Sequence, residues 1–165
     1  MKNIEAKIQD WATAQKNVSY CKSIGYEVVF TNGCFDILHY GHFQYLCEAK
    51  SLGDLLVVGV NSDASVQRLK GSHRPIHDLK TRLTALAALS FVDIVVVFEQ
   101  DTPLELIECL RPDVLVKGGD YEPHQIVGAD IVLAGGGSVQ SLAFAEGYST
   151  TAIEQKISGL STSSK

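Results

Sequence analysis

The chain has 165 residues, with 14 Lys and Arg against 19 Asp and Glu, a formal net charge of −5. That length suits one domain with a sizeable core, and the acidic balance argues against a nucleic-acid partner. A 45% hydrophobic fraction with no transmembrane run, and no signal-peptide pattern at the N-terminus, predict a cytoplasmic protein with no membrane partner.

Ile4, Ile8, Trp11, Ala12, Val18 and Cys21 recur at roughly helical spacing and stop at Gly25. They predict a helical extension over residues 1–25, packed beside the first strand, with Trp11 a core or interface anchor. Val28 to Phe30 reads as a buried strand that breaks at Asn32-Gly33, a pair tolerant of positive φ. His39 and His42 then flank Gly41 at the start of a helix carrying Phe43, Leu46 and Cys47. Two imidazoles at i and i+3 on a helix N-terminus, where free N–H groups favour anions, suit a polyphosphate. Leu55 to Val60 is continuously apolar, as in a strand buried on both faces, and Asn61-Ser62-Asp63 follows at its end. A polar segment runs to Lys70-Gly71, His73-Arg74-Pro75 reads as a loop, and residues 78–90 as a helix containing Arg82.

Ile94 to Phe98 predicts a third strand, and Thr102-Pro103 starts a helix through Leu110. Val114 to Val116 is a fourth strand, ending in Lys117-Gly118-Gly119-Asp120-Tyr121. Ile131 to Leu133 and Val139 to Phe144 read as weaker strands around Gly135-Gly136-Gly137. Gly147-Tyr148-Ser149-Thr150-Thr151 leads into a last helix, with Ile153 and Ile157 on one face. The organisation expected is the extension, a domain over 26–158, and a disordered Ser/Thr-rich tail over 159–165. Cys21, Cys34, Cys47 and Cys109 have neither CxxC nor zinc-ligand spacing, which predicts free thiols.

Strands alternating with helices predict an α/β fold: a single-domain, Rossmann-like parallel sheet with helices on both faces. Ligands then bind beyond the carboxyl ends of the strands, where residues 32–42, 61–63 and 117–121 all fall. A dehydrogenase fingerprint G-x-G-x-x-G and a phosphate-loop G-x-x-x-x-G-K-[ST] are both missing from the sequence.

Gly33-x-Phe35-Asp36 with His39-x-Gly41-His42, and Ser149-Thr150-Thr151 opening a late helix, resemble the cytidylyltransferase-like nucleotidyltransferase superfamily with its HxGH fold. Asn61-Ser62-Asp63, Arg74-Pro75, Lys117 to Tyr121 and Glu146 to Thr151 are similar, more narrowly, to bacterial heptose-1-phosphate adenylyltransferases. The similarity runs from about Tyr26 to Ile157. It implies transfer of AMP from ATP to D-glycero-D-manno-heptose 1-phosphate, giving ADP-heptose and pyrophosphate for surface-glycan synthesis. The acceptor phosphate attacks the α-phosphorus directly, with Mg²⁺ on the leaving pyrophosphate and no dedicated protein cage for the metal.

By the same resemblance His42 contacts the α-phosphate and His39 the neighbouring phosphates, with Lys117 the third catalytic group. The nucleotide is held by Asn32, Gly33, Cys34, Phe35, Gly41, Lys117, Gly119, Asp120, Ser149, Thr150 and Thr151. Asp36, Asn61, Asp63 and Arg74 face the acceptor, although Asp36 has helix capping or metal binding open to it as well. The resemblance further implies a homodimer, and a separate sugar kinase upstream. Related glycerol-phosphate enzymes carry a Lys where this chain has Gln44, and an Arg where it has Ala145-Glu146. Lys70, Arg74 and Lys117 are the candidates to replace those cations. A cytidylyltransferase acting on an alcohol phosphate, and a non-catalytic nucleotide-binding module, stand as alternatives.

Overall fold

The computed structural model describes residues 2–119, 121–143, 145 and 147–162. Its strands are the Val, Ile and Leu runs of the sequence. They are β1 (Ile8–Gln9), β2 (Val28–Gly33), β3 (Leu55–Asn61), β4 (Ile94–Phe98), β5 (Val114–Gly118) and β6 (Ser138–Leu142). They form one parallel sheet in the order β1-β4-β3-β2-β5-β6. Parallel neighbours need crossovers, and helices supply them, with the first helix before the first strand and the last after the last strand: α1 (Lys2–Glu5), α2 (Trp11–Ser23), α3 (Tyr40–Lys50), α4 (Asp63–Lys70), α5 (Leu79–Ala87), α6 (Leu104–Leu110), α7 (Ala129–Ala134) and α8 (Thr150–Thr162).

Side chains alternate across the sheet, so each strand feeds two cores. Val29, Leu56, Val58, Val60 and Val116 pack with Leu46, Leu83 and Leu86 on one face. Val28, Phe30, Val57, Val96 and Leu115 pack with Val18, Leu106 and Ile107 on the other. The central strands are therefore apolar at nearly every position, as a sheet covered on both faces requires. Helix starts are fixed by side-chain caps. Asp10 accepts from Thr13 N at 2.7 Å, Ser62 from Ser65 N at 3.1 Å and Asp78 from Thr81 N at 2.8 Å.

From β2 the chain builds outward through β3 to β4, then returns across β2 to lay down β5 and β6. The direction reverses between β2 and β5, and a crevice opens there at the carboxyl ends of the strands. Among the described residues no helix is long and apolar enough to cross a membrane.

Four expectations change. Ile131 to Leu133 lies in α7, not in a strand. Ala129 and Val132 turn one helical face onto the core, and three apolar residues are too short a run to separate the two periods. The polar segment after Asn61 is the helix α4. The N-terminal extension is part of the sheet: Ile8 pairs with Val95, and Trp11 Nε1 donates to Val97 O at 2.7 Å. Trp11 is thus a core anchor. Finally, α8 continues to Thr162, inside the stretch expected as a tail, and residues 163–165 lie outside the described residues.

Candidate active site

The site grows from the connection between β2 and α3. Gly33 ends the strand, and a Cβ there would come within 3.0 Å of the Phe35 ring. Phe35 itself is left-handed, with φ of 47°, a strained conformation for a side chain of its size. His39 is the extended N-cap residue of α3, and its carbonyl accepts from His42 N at 2.9 Å. One turn then brings the two imidazoles together, with ring centroids 3.9 Å apart and planes inclined by 31°. Gly41 makes the approach possible. A Cβ on it would stand 3.2 Å from the His39 ring and 3.4 Å from Tyr148 Cβ.

Burial, then the facing His39 and Lys70 charges, push His42 down to about 4. Burial lowers His39 as well. Both rings are therefore neutral near pH 7, and the Nδ1 atom of each is buried with no hydrogen-bond partner among the described residues. Two neutral imidazoles with unspent nitrogens are poised for an anion, whose arrival would favour their charged forms.

The crevice between β2 and β5 has two lobes. One, of about 330 Å³, runs past Asn61 and Thr102 to Tyr121, Gln125, Ile126 and Val127, and is mostly apolar. The other, of about 370 Å³, holds Phe35, His42, Lys70 and Thr150. Asn32, Gly33, Cys34, Lys117 and Tyr121 line both, so the lobes meet over the end of β2. Lys117 Nζ stands at this waist, donating to Asn32 Oδ1 at 3.3 Å, and burial lowers its pKa. Burial raises the Cys34 thiol, which keeps it protonated and a poor nucleophile.

At the edge of the second lobe, Ser149 Oγ caps α8 by accepting from Ala152 N at 3.1 Å. Thr150 lines the lobe, whereas Thr151 is exposed and lines neither. Gly119, at φ of 118°, donates its N–H to Leu142 O at 2.9 Å and so ties β5 to β6 beside the cleft. Asp120 and Glu146 lie outside the described residues.

Of the residues expected at the acceptor, three are engaged in holding the walls. Asp36 Oδ1 accepts from Ile76 N at 2.7 Å and His77 N at 2.9 Å, while Oδ2 takes Arg74 Nη1 at 2.6 Å. Burial opposes these bonds, yet their combined pull leaves Asp36 below the usual carboxylate range. Both of its oxygens are engaged in these wall contacts rather than in capping α3. Arg74 is buried and also pairs with Glu154 of α8, so of the three candidate cations it is the one held by carboxylates among the described residues. Asp63 Oδ1 receives Arg82 Nη2 at 2.7 Å, and its Oδ2 accepts from Leu79 N at 3.2 Å. Asn61 donates to Ser65 Oγ at 3.0 Å and faces the apolar lobe, apart from the other three.

Sequence reasoning placed Arg82 only on a helix. It is fully buried, and its Nη1 donates to Cys34 O at 2.6 Å, which holds the strained loop in place. An arginine on the apolar face of an Ala/Leu helix was the available signal. Tyr45 was also missed: its hydroxyl bonds Thr31 Oγ1 and donates to Val116 O at 3.3 Å, joining β2 to β5 below the waist. Among the described residues no three His, Cys, Asp or Glu side chains group as a metal site.

A parallel sheet with paired histidines and a half-buried lysine at its switch point defines a Rossmann-like α/β protein. The model of the Cytidylyltransferase-like family matches residues 30–156, and the chain belongs to that family. The bifunctional protein HldE of Magnetococcus marinus is 55% identical over 152 residues, which is 92% of this chain and 31% of that protein. HldE of Syntrophotalea carbinolica is 59% identical over 133 residues, 81% of this chain and 27% of that one. The chain thus spans about a third of the length of these curated relatives. The crystal structure of a lipopolysaccharide core biosynthesis protein from Thermoplasma volcanium is 32% identical with a TM-score of 0.59, covering 76% of this chain and all of that one. Pantoate-beta-alanine ligase from Francisella tularensis shares the fold, with a TM-score of 0.55 at 16% identity over 82% of this chain and 66% of that one.

Proposed function

We propose that this chain transfers AMP from ATP to a sugar 1-phosphate of the D-glycero-D-manno-heptose type, releasing pyrophosphate and ADP-heptose. The observation that carries the reading is the neutral His39–His42 pair, ring centroids 3.9 Å apart, whose His42 lines the same lobe as Lys70 and Lys117. The resemblance of Asn61-Ser62-Asp63, Arg74-Pro75 and Lys117 to Tyr121 to heptose-1-phosphate adenylyltransferases supports the choice of sugar.

In this reading the nucleoside occupies the apolar lobe and the triphosphate turns at the waist into the histidine lobe. An oxygen of the sugar phosphate attacks the α-phosphorus as the bond to the β-phosphate oxygen breaks, and pyrophosphate leaves with that electron pair. The chain supplies no nucleophile. His42, Lys117 and Lys70 surround the position where negative charge gathers, and such fixed donors act on the crowded phosphorus more strongly than water would. His39 and the α8 N-terminus hold the β- and γ-phosphates of the bound nucleotide. Magnesium arriving on the triphosphate would supply charge neutralisation there.

Pyrophosphate release across a panel of nucleoside triphosphates and sugar phosphates tests the reading. Rapid release with ATP and heptose 1-phosphate is expected. Release with CTP and glycerol 3-phosphate at equal or greater efficiency would assign the chain to alcohol-phosphate cytidylyl transfer. Nucleotide binding without release would assign it to a sensing module.

A further inference from the structure

The helix that carries Thr150 is lightly attached. Among the described residues α8 packs extensively on no other element, and of its side chains described only Thr150, Ile153 and Glu154 are half-buried. Thr150 and Glu154 lie four residues apart, on one face, and that face looks at the cleft. Two contacts among the described residues bear on that face. The Tyr148 ring, just before the helix, meets the Tyr40 ring with centroids 4.9 Å apart. Glu154 meets Arg74, whose other arm is clasped by Asp36.

The second contact is directional. Arg74 is buried, its Nη1 is fixed by Asp36, and Asp36 is fixed by two backbone amides of the 76–77 loop. The guanidinium is thus a rigid socket on the body of the protein, with one face turned to α8. A planar fork held by one carboxylate presents its remaining N–H groups at a set angle to a second. Glu154 sits one turn into the helix, so its seating sets where the first turn, and Thr150, must lie.

We propose that Glu154 is a positioning residue: seated in the Arg74–Asp36 socket, it docks α8 and sets the helix N-terminus against the histidine lobe. The proposal rests on the triphosphate reading of that lobe. It assigns Arg74 and Asp36, expected at the acceptor, to the geometry of the phosphate end instead. Undocking leaves His39, His42 and Lys117 in place but withdraws the α8 donors, so ATP binding weakens while the chemical step is spared.

Glu154→Gln keeps the shape and removes the charge. Because the pair is part-exposed, water weakens it, and the docked fraction should fall about three- to tenfold. The apparent KM for ATP should rise by that factor with kcat within about twofold. Arg74→Lys, which cannot grip two carboxylates with one fork, should move KM the same way. Lys156→Gln, on an exposed position of the same helix, should leave both constants unchanged. Amide hydrogen exchange over residues 150–158, measured without substrate, should speed up in Glu154→Gln with the sheet unaffected. Wild-type KM and wild-type α8 protection in Glu154→Gln would overturn the proposal, as would a fall in kcat with loss of protection throughout the sheet. Exchange needs no turnover, so an inactive wild-type protein would remove the transferase reading while the docking is still decided.

Discussion

At the scale of single residues, the histidine pair is held neutral so that a ligand can charge it. His42 titrates at about 4 in the free protein because it is buried and faces His39 and Lys70. An arriving triphosphate favours the protonated imidazole and raises that pKa. Between about pH 5 and 6.5 ATP binding should therefore take up protons, and calorimetry in buffers of different ionisation enthalpy should read a positive uptake. Proton release would contradict the assignment. In the absence of ligand the sign differs. The unfolded histidine binds a proton near its ordinary 6.5 while the folded one resists it, so stability falls as pH drops from about 6.5 towards 4. For the reaction itself, His42→Ala should lower kcat by roughly 10² to 10³ with a smaller change in ATP affinity, by the scale of a lost oxyanion donor. Single-turnover rates separate the two, and near-normal turnover would remove His42 from the chemistry. His39, Gly41 and His42 were legible in the sequence because a helix start fixes i and i+3 on one face. The employment of Asp36, Arg74 and Asp63 was not, because their partners lie 38, 80 and 19 positions away.

At the scale of elements, the loops that carry the site are set by buried polar ties. Arg82 on α5 holds the Cys34 carbonyl and Asp63 together, joining the β2–α3 loop to α4. Arg82→Met keeps the apolar stem and strands both acceptors, one of them half-exposed. A loss of about 1–3 kcal/mol is expected, with activity falling further than stability because the strained loop relaxes. That is about 2–10 °C in Tm for a chain of this size, readable by calorimetry. The parallel strands were legible because unbroken Val and Ile runs have few other uses. The segment 128–137 was misread because short apolar runs fit either period, and close backbone contacts decide it. Gly137 shows how close: a Cβ there would stand 2.3 Å from Asp113 O and 2.8 Å from Val132 Cγ1. Gly137→Ala must therefore push α7 and β6 away from β5, at about 1–3 kcal/mol or more. Unchanged denaturant midpoints in that variant would contradict the close packing.

At the scale of the whole molecule, one sheet reversal creates both lobes, and in the proposed reading base choice follows from the shape of the first. The apolar lobe is closed by Tyr121 and by Gln125, Ile126 and Val127, which arrive on the connection between β5 and α7. Gly33 lines this lobe without a side chain to block the approach, and main-chain N–H and C=O groups can read the donor–acceptor edge of a purine. A pyrimidine in the same lobe fills less of the apolar wall and leaves part of that edge unpaired. Each missing apolar group forfeits about 1–3 kcal/mol, and unpaired polar groups add to the loss. With the sugar phosphate held constant, kcat/KM for ATP should exceed that for CTP by at least about 10². Enlarging Val127 to Phe should narrow the lobe and lower the value for ATP more than that for CTP. The pair of ratios, measured by pyrophosphate release on the two proteins, separates a shape-read base from one read elsewhere. Equal ratios in wild type and Val127→Phe would move base recognition out of this lobe.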